Sequence, residues 1–143
     1  MSNFVKQVIE AGGSIHPIII PSEWTKGTGT FNPSIYNDNG QLFVNVRHCQ
    51  VTIYHSEKGI FEHPWGPLVY LHPENDVTLR TTNYFCHLNS DLQVTRINAV
   101  DFSKFDEPPK WEFIGLEDCR VFRWNGKLYL CGVRRDTTPN GIG

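Results

Sequence analysis

The chain has no stretch that reads as a membrane span. Its run of isoleucines, Ile18-Ile19-Ile20, is closed by Pro21 and is far too short to cross a bilayer as a helix. The segment Met1 to Gly13 lacks an apolar core with a basic flank, so no secretory signal is read there and a cytoplasmic setting is expected. Excess charge is also missing. Thirteen Lys and Arg face fifteen Asp and Glu, for a net charge of -2, which gives no electrostatic reason to expect nucleic acid or an anionic membrane as partner. Four cysteines occur, Cys49, Cys86, Cys119 and Cys131, with no CxxC pair and no Cys/His group at zinc-finger spacing. Two disulfides are possible on count alone. A chain this long and well patterned does not need such a framework, so mostly buried free thiols are expected. The six histidines form no HxH or HExxH pattern, and no metal site is expected. Lys26-Gly27-Thr28-Gly29-Thr30 lacks Walker spacing and a following helix, and reads as a flexible loop. There is no GxSxG elbow. No cofactor is called for.

What remains is a chain of 143 residues, enough for one domain with a sizeable core. Residues Phe4 to Ala11 read as a short helix stopped by Gly12-Gly13, and no other helix of any length is expected. From His16 onward, short apolar or alternating runs are separated by Gly, Pro, Asn and Asp, the punctuation of antiparallel β-structure. Strands are expected at about 34–37, 42–47, 51–55, 68–71, 84–89, 93–99, 120–124 and 127–134. Asn39-Gly40 and Asn125-Gly126 supply the two positive-φ residues of type I′ hairpin turns. Aromatic residues make up 13% of the chain, which suits a β-core and also suits rings that stack on sugars.

The two Asn-Gly hairpins also form a repeat. Aligning them gives a shift of 125 − 39 = 86 residues. Under it Ile35 falls on Val121, Tyr36 on Phe122, Leu42 on Leu128, Phe43 on Tyr129 and Asn32 on Asp118. A propeller blade of four antiparallel strands takes roughly 40–50 residues, so the spacing fits one blade with long insertions or two blades. The segment around Pro64-Trp65-Gly66-Pro67 reads as such an insertion. On this pattern a β-propeller and a β-sandwich both remain open.

The chemistry-bearing segment is Gly115-Leu116-Glu117-Asp118-Cys119-Arg120. A carboxylate pair at a loop-to-strand junction beside an arginine suits general acid–base work. In extended backbone the two acids point to opposite sides. The arginine would hold one carboxylate ionised, and a desolvated partner would keep a raised pKa. A solvated acidic turn is the plainer reading of the same four letters. Arg47-His48 and Arg134-Arg135-Asp136 close the apolar strands of the two copies, and Arg offers a fork of donors to a phosphate or to vicinal hydroxyls.

Asn32-Pro33-Ser34, its hairpin and the strand ending in Arg47 resemble the first blade of family 130 glycoside hydrolases and phosphorylases. GLEDCRVFRWNGKLYL is similar to that family's second-blade signature, Gly-x-Glu-Asp-Pro-Arg followed by a hairpin. Cys119 stands where the family has Pro. The resemblance covers about residues 30–136. It implies an all-β fold with the first two blades or so of a five-bladed β-propeller, made of antiparallel four-stranded blades. Blade 1 is expected at about 30–102, blade 2 from about 111, and the domain is expected to be incomplete. It also implies an enzyme acting on β-mannosides or similar glycans by single-displacement inversion. Asp118 would be the general acid, and Asn32, Arg47, Glu117 and Arg120 would contact the sugar or shape the site. Arg134 and Asp136, at the matching strand end, complete the expected substrate-binding set. Inorganic phosphate would be a co-substrate in the phosphorylase case. A related mannosyltransferase and a non-catalytic carbohydrate-binding or structural β-domain are the alternatives. An oligosaccharide or glycoside is the expected partner, with self-association as a route to cover open edges.

Overall fold

The computed structural model describes residues 3–50, 52–55, 68–71 and 78–143. It is mostly β, with antiparallel sheets and a short N-terminal helix. Helix α1 (Asn3–Glu10) places Phe4, Val5, Val8 and Ile9 on one stripe, yet buries none of its residues. Gly12, at φ 83°, reverses the chain behind it, and the Gly12 and Gly13 N–H groups donate to the Ile9 and Val8 carbonyls. A second helix that the sequence reading missed, α2 (Ser22–Thr25), is a single turn whose exit is Lys26 in the left-handed region.

Among the described residues, nine strands follow. Strands β1 (Thr30–Asp38) and β2 (Gln41–Cys49) form a hairpin, and β3 (Thr52–His55) and β4 (Leu68–Leu71) form another that stands apart as its own two-stranded sheet. Strands β5 (Leu79–Leu88) and β6 (Val94–Ala99) complete the main sheet in the order β1-β2-β5-β6, antiparallel throughout. Strand β5 begins five residues before its expected start, because Thr81–Asn83 pair with β2 and Leu79 and Arg80 pair in parallel with the short β7 (Phe113–Ile114). Strands β8 (Leu116–Trp124) and β9 (Lys127–Arg134) form a separate hairpin. The strand expected from Val51 is described from Thr52. The insertion expected around Pro64-Trp65-Gly66-Pro67 lies outside the described residues.

One face of the main sheet is the core. Val44, Val46, Cys86 and Leu88 are buried there beneath Ile18, Ile20, Tyr84 and Ile97. A smaller cluster joins Cys49 and Leu79 to Phe31 and Phe113. Free thiols occupy the expected places: Cys49, Cys86 and Cys119 are buried and Cys131 is exposed. Burial pushes the Cys86 thiol up to about 11. The loop after α2 is pinned rather than loose. The Thr28 hydroxyl donates to the Thr25 carbonyl at 2.7 Å, and His48 Nε2 lies 2.7 Å from that hydroxyl and 3.1 Å from the same carbonyl. Among the described residues, no helix is long and apolar enough to cross a membrane.

The repeat read in the sequence has a structural counterpart. In β1/β2 the pairs Thr30↔His48, Phe31↔Arg47, Ser34↔Asn45 and Tyr36↔Phe43 match, at the same 86-residue shift, Leu116↔Arg134, Glu117↔Val133, Arg120↔Cys131 and Phe122↔Tyr129 in β8/β9. Each hairpin is bulged at the same place, between Phe31 and Ser34 and between Glu117 and Arg120. Both turns carry positive φ at Asn39-Gly40 and Asn125-Gly126. The second hairpin lies on the main sheet. Cys119 and Val121 are buried, the Val121 N–H donates to the Ser34 hydroxyl at 3.1 Å, and Arg123 pairs with Asp38. The opposite face of β8/β9, with Phe122, Trp124 and Tyr129, stays exposed.

Candidate active site

The site is built by the two bulges. A bulge places one extra residue in a strand, bends it and re-aims a side chain. Here the extra residue is in the left-handed region in both copies, Asn32 at φ 45° and Asp118 at φ 52°. Asn and Asp enter that region more readily than other residues with a Cβ, which is why these residue types sit there. Consequently the two side chains, 86 residues apart, meet: Asn32 Nδ2 donates to Asp118 Oδ1 at 2.6 Å.

Arg47 gathers the rest. Its Nη1 donates to Asp118 Oδ1 at 3.0 Å, its Nη2 pairs with Glu117 Oε2 at 2.8 Å, and its Nε donates to the Thr81 hydroxyl at 3.3 Å. Asp118 is the accessible member, with 46% of its side chain exposed against 12% for Arg47 and 9% for Glu117. The two acids do not part to opposite sides of the strand, because the bulge interrupts the alternation between them. Glu117 Oε1 is buried without a hydrogen bond, and Arg135 Nε stands 3.7 Å away, close enough for ion pairing but not for a hydrogen bond.

The electrostatics favour ionised Asp118. Burial alone would raise its pKa. The Asn32 hydrogen bond, the charge and hydrogen bond of Arg47, and the charge of Arg120 outweigh that and hold it below the usual carboxylate value. Burial also opposes the charge on Arg47, but Cys49, Glu117 and Asp118 together keep its pKa above the ordinary arginine value. Arg120 itself turns toward the first unit and donates to the Pro33 carbonyl at 3.1 Å.

Behind the cluster, a polar chain joins the units. Asn45 Nδ2 donates to Asn83 Oδ1 at 2.9 Å, and Asn83 Nδ2 donates to the Leu116 carbonyl at 2.7 Å. Both asparagines are fully buried. This fixes Leu116, and with it Glu117 and Asp118, against the sheet.

Of the residues singled out in the sequence, Asn32, Arg47, Glu117 and Asp118 come together, with Arg120 at their edge. Arg134 and Asp136 form a second cluster. Arg134 grips the buried Asp136 carboxylate at 2.8 and 3.2 Å and also holds Asp106 and the Phe105 carbonyl. Asp136 accepts the Gly115 N–H at 3.1 Å, so this cluster supports the loop that enters β8. Gly115 has φ 99°, and a Cβ there would meet the Thr81 carbonyl oxygen at 2.7 Å. Arg135, just past the end of β9, and not Arg134, stands near Glu117. Thr81 and Asn83 were missed by the sequence reading; the available signal was polar residues inside the otherwise buried strand around Asn83. Among the described residues, no group of three or more His, Cys, Asp or Glu is placed to hold a metal ion. Compared with known protein families, with curated proteins and with solved structures, the chain has no significant match.

Proposed function

We propose that the two β-units are successive blades of a β-propeller of the family 130 type, acting in the cytoplasm on β-mannosides or similar glycosides. Asp118 would be the general acid of a single-displacement inversion. The observation that carries this reading is the convergence of Asn32, Arg47, Glu117 and Asp118. Two bulges, from units far apart in sequence, aim an amide and an accessible carboxylate at one point, where the Arg47 guanidinium of β2 meets them.

The chemistry follows from the balance of forces on Asp118. In the free protein Asn32 and Arg47 keep it ionised. A bound glycoside whose hydroxyls engage Asn32 and Arg47 competes for those contacts and excludes water. The lowering influences weaken while desolvation grows, so the carboxyl takes up a proton. That proton passes to the glycosidic oxygen, directly or through a sugar hydroxyl, as the bond from that oxygen to the anomeric carbon breaks. Inorganic phosphate, or water that gives up a proton to the solvent as it attacks, forms the new bond from the opposite face, with inversion, and Asp118 is left ionised. Replacing Asp118 with Asn tests the assignment. Turnover of a cleavable β-mannoside should be lost while sugar binding by calorimetry persists. An unchanged rate would remove Asp118 as the acid.

A second reading is favoured by the same pKa direction. A carboxylate held ionised by an amide and a guanidinium is also what a structural ion cluster between two sheets looks like. On that reading the chain is a non-catalytic carbohydrate-binding or structural β-domain. Asp118→Asn would then lower thermal stability, and the unaltered protein would turn over no glycoside.

A further inference from the structure

Three asparagines of the chain are followed by glycine: Asn39-Gly40, Asn125-Gly126 and Asn140-Gly141. Asparagine is a thermally labile residue, and it is most labile before glycine, which has no side chain to shield the next backbone nitrogen. That nitrogen is the nucleophile when the side-chain amide is lost, so its hydrogen bonding decides which pair reacts. The Gly40 N–H donates to Asn37 Oδ1 at 2.7 Å. The Gly141 N–H donates to the Thr138 carbonyl at 3.3 Å. Among the described residues, the Gly126 N–H has no acceptor. One exchange between the two hairpins accounts for this. At the 86-residue shift Arg123 stands where Asn37 stands, and an arginine has no acceptor atom to offer. Instead Arg123 Nη1 donates to the Gly126 carbonyl at 2.6 Å, and its guanidinium pairs with Asp38. Asn125 and Gly126 are exposed. The matching Asn39-Gly40 turn is exposed too, although its hairpin has β8 packed on it, so neighbouring hairpins leave these turns open to water.

We propose that Asn125 is the site at which the folded chain spontaneously deamidates and isomerises, and that Asn39 and Asn140 are protected by the bonds held to their following N–H groups. Hydroxide removes the Gly126 amide proton, and the nitrogen forms a bond to the side-chain carbonyl carbon of Asn125. The carbon–nitrogen bond of the side-chain amide breaks, and ammonia leaves with a proton from water, which regenerates hydroxide. Water then adds to one of the two carbonyls of the cyclic imide and opens it to aspartate or to isoaspartate. A neutral amide becomes a carboxylate, and the net charge goes from -2 to -3. The isoaspartyl product puts an extra methylene into the backbone of a two-residue turn whose length sets the register of β8 on β9. It also moves the Gly126 carbonyl from the place where Arg123 holds it. The reaction needs no bound ligand and does not depend on the glycoside chemistry proposed for Asp118.

The test ages the unaltered chain at mildly alkaline pH and follows each asparagine by peptide mapping with mass spectrometry, with enzymatic methylation of isoaspartate to separate the two products. Conversion at Asn125 should run about two- to tenfold faster than at Asn39 or Asn140, the factor set by one backbone N–H hydrogen bond that must first be broken. In urea that advantage should vanish, since the same dipeptide is present three times and the bonds are gone. Asn37→Ala removes the acceptor of the Gly40 N–H and should raise the Asn39 rate toward that of Asn125, with circular dichroism to check that the variant keeps the native spectrum. Conversion at Asn125 no faster than at Asn39 or Asn140 in the folded chain overturns the proposal. So does an advantage that persists in urea, or an Asn39 rate that a folded Asn37→Ala variant leaves unchanged.

Discussion

Asp118 sits under two opposed influences, and they can be separated experimentally. Burial raises its pKa; Asn32, Arg47 and Arg120 lower it. Removing the Asn32 amide should let burial count for more. Asn32→Ala is therefore expected to move the Asp118 carboxyl titration, followed by NMR, to higher pH than in the unaltered protein. A titration that does not move would mean that the arginines, Arg47 and Arg120, set the ionisation without help from Asn32. The same logic gives a kinetic signature for the proposed acid. Its protonated form is the active one and is depleted as pH rises through the pKa. In kcat/KM, which reports the free enzyme, the descending limb should lie at lower pH than in kcat, which reports the bound complex. Limbs that coincide would show that substrate does not change the group's environment.

The loop entering β8 depends on a buried carboxylate as much as on backbone pairing. Asp136 is 2% exposed and joins Arg134 to the Gly115 N–H. Burial would raise its pKa, but the Arg134 hydrogen bond and charge and the Gly115 N–H hold it below the ordinary value. A depressed folded-state pKa contributes stability that is complete above the unfolded carboxylate value of roughly 3.9 and is lost as pH falls through the folded value. Urea denaturation should show Asp136→Ala destabilised by about 1–3 kcal/mol at neutral pH, because the Gly115 N–H loses its acceptor and Arg134 keeps only Asp106 and the Phe105 carbonyl. Below about pH 4 the gap to the unaltered protein should narrow. A gap independent of pH would mean that the loss is one of packing. Much of this element was legible in the sequence. The Asn-Gly turns, the hairpin strands and the 86-residue register follow from period-2 patterning and turn chemistry. The bulges were not legible, because nothing in Phe31-Asn32-Pro33 or Glu117-Asp118-Cys119 marks an extra residue until the pairing partner is known. Hence the expectation that Glu117 and Asp118 diverge gave way to a shared contact with Arg47. The parallel pairing of β5 with β7, and the anchoring of the Lys26–Thr30 loop by His48, rest on contacts between distant segments and left no local trace.

At the scale of the whole molecule, the cysteines report on integrity. Three of the four thiols are buried, and burial, with the nearby Asp118 charge adding to it, pushes Cys119 up to about 11. A thiolate is the reactive form, so native protein at neutral pH should react with a thiol reagent at Cys131 alone, and denatured protein at all four positions. Fast modification of Cys119 in native conditions would show that β8/β9 lifts from the main sheet. That attachment has a further consequence. Each hairpin can close locally, in microseconds, around its own Asn-Gly turn. The Asn32–Asp118 contact and the Asn83–Leu116 link instead join segments 86 and 33 residues apart, and they cannot reward the chain until those long loops are closed. The candidate site is therefore assembled late in folding. A chain caught with both hairpins formed but undocked would have the native strands and turns and no site at all.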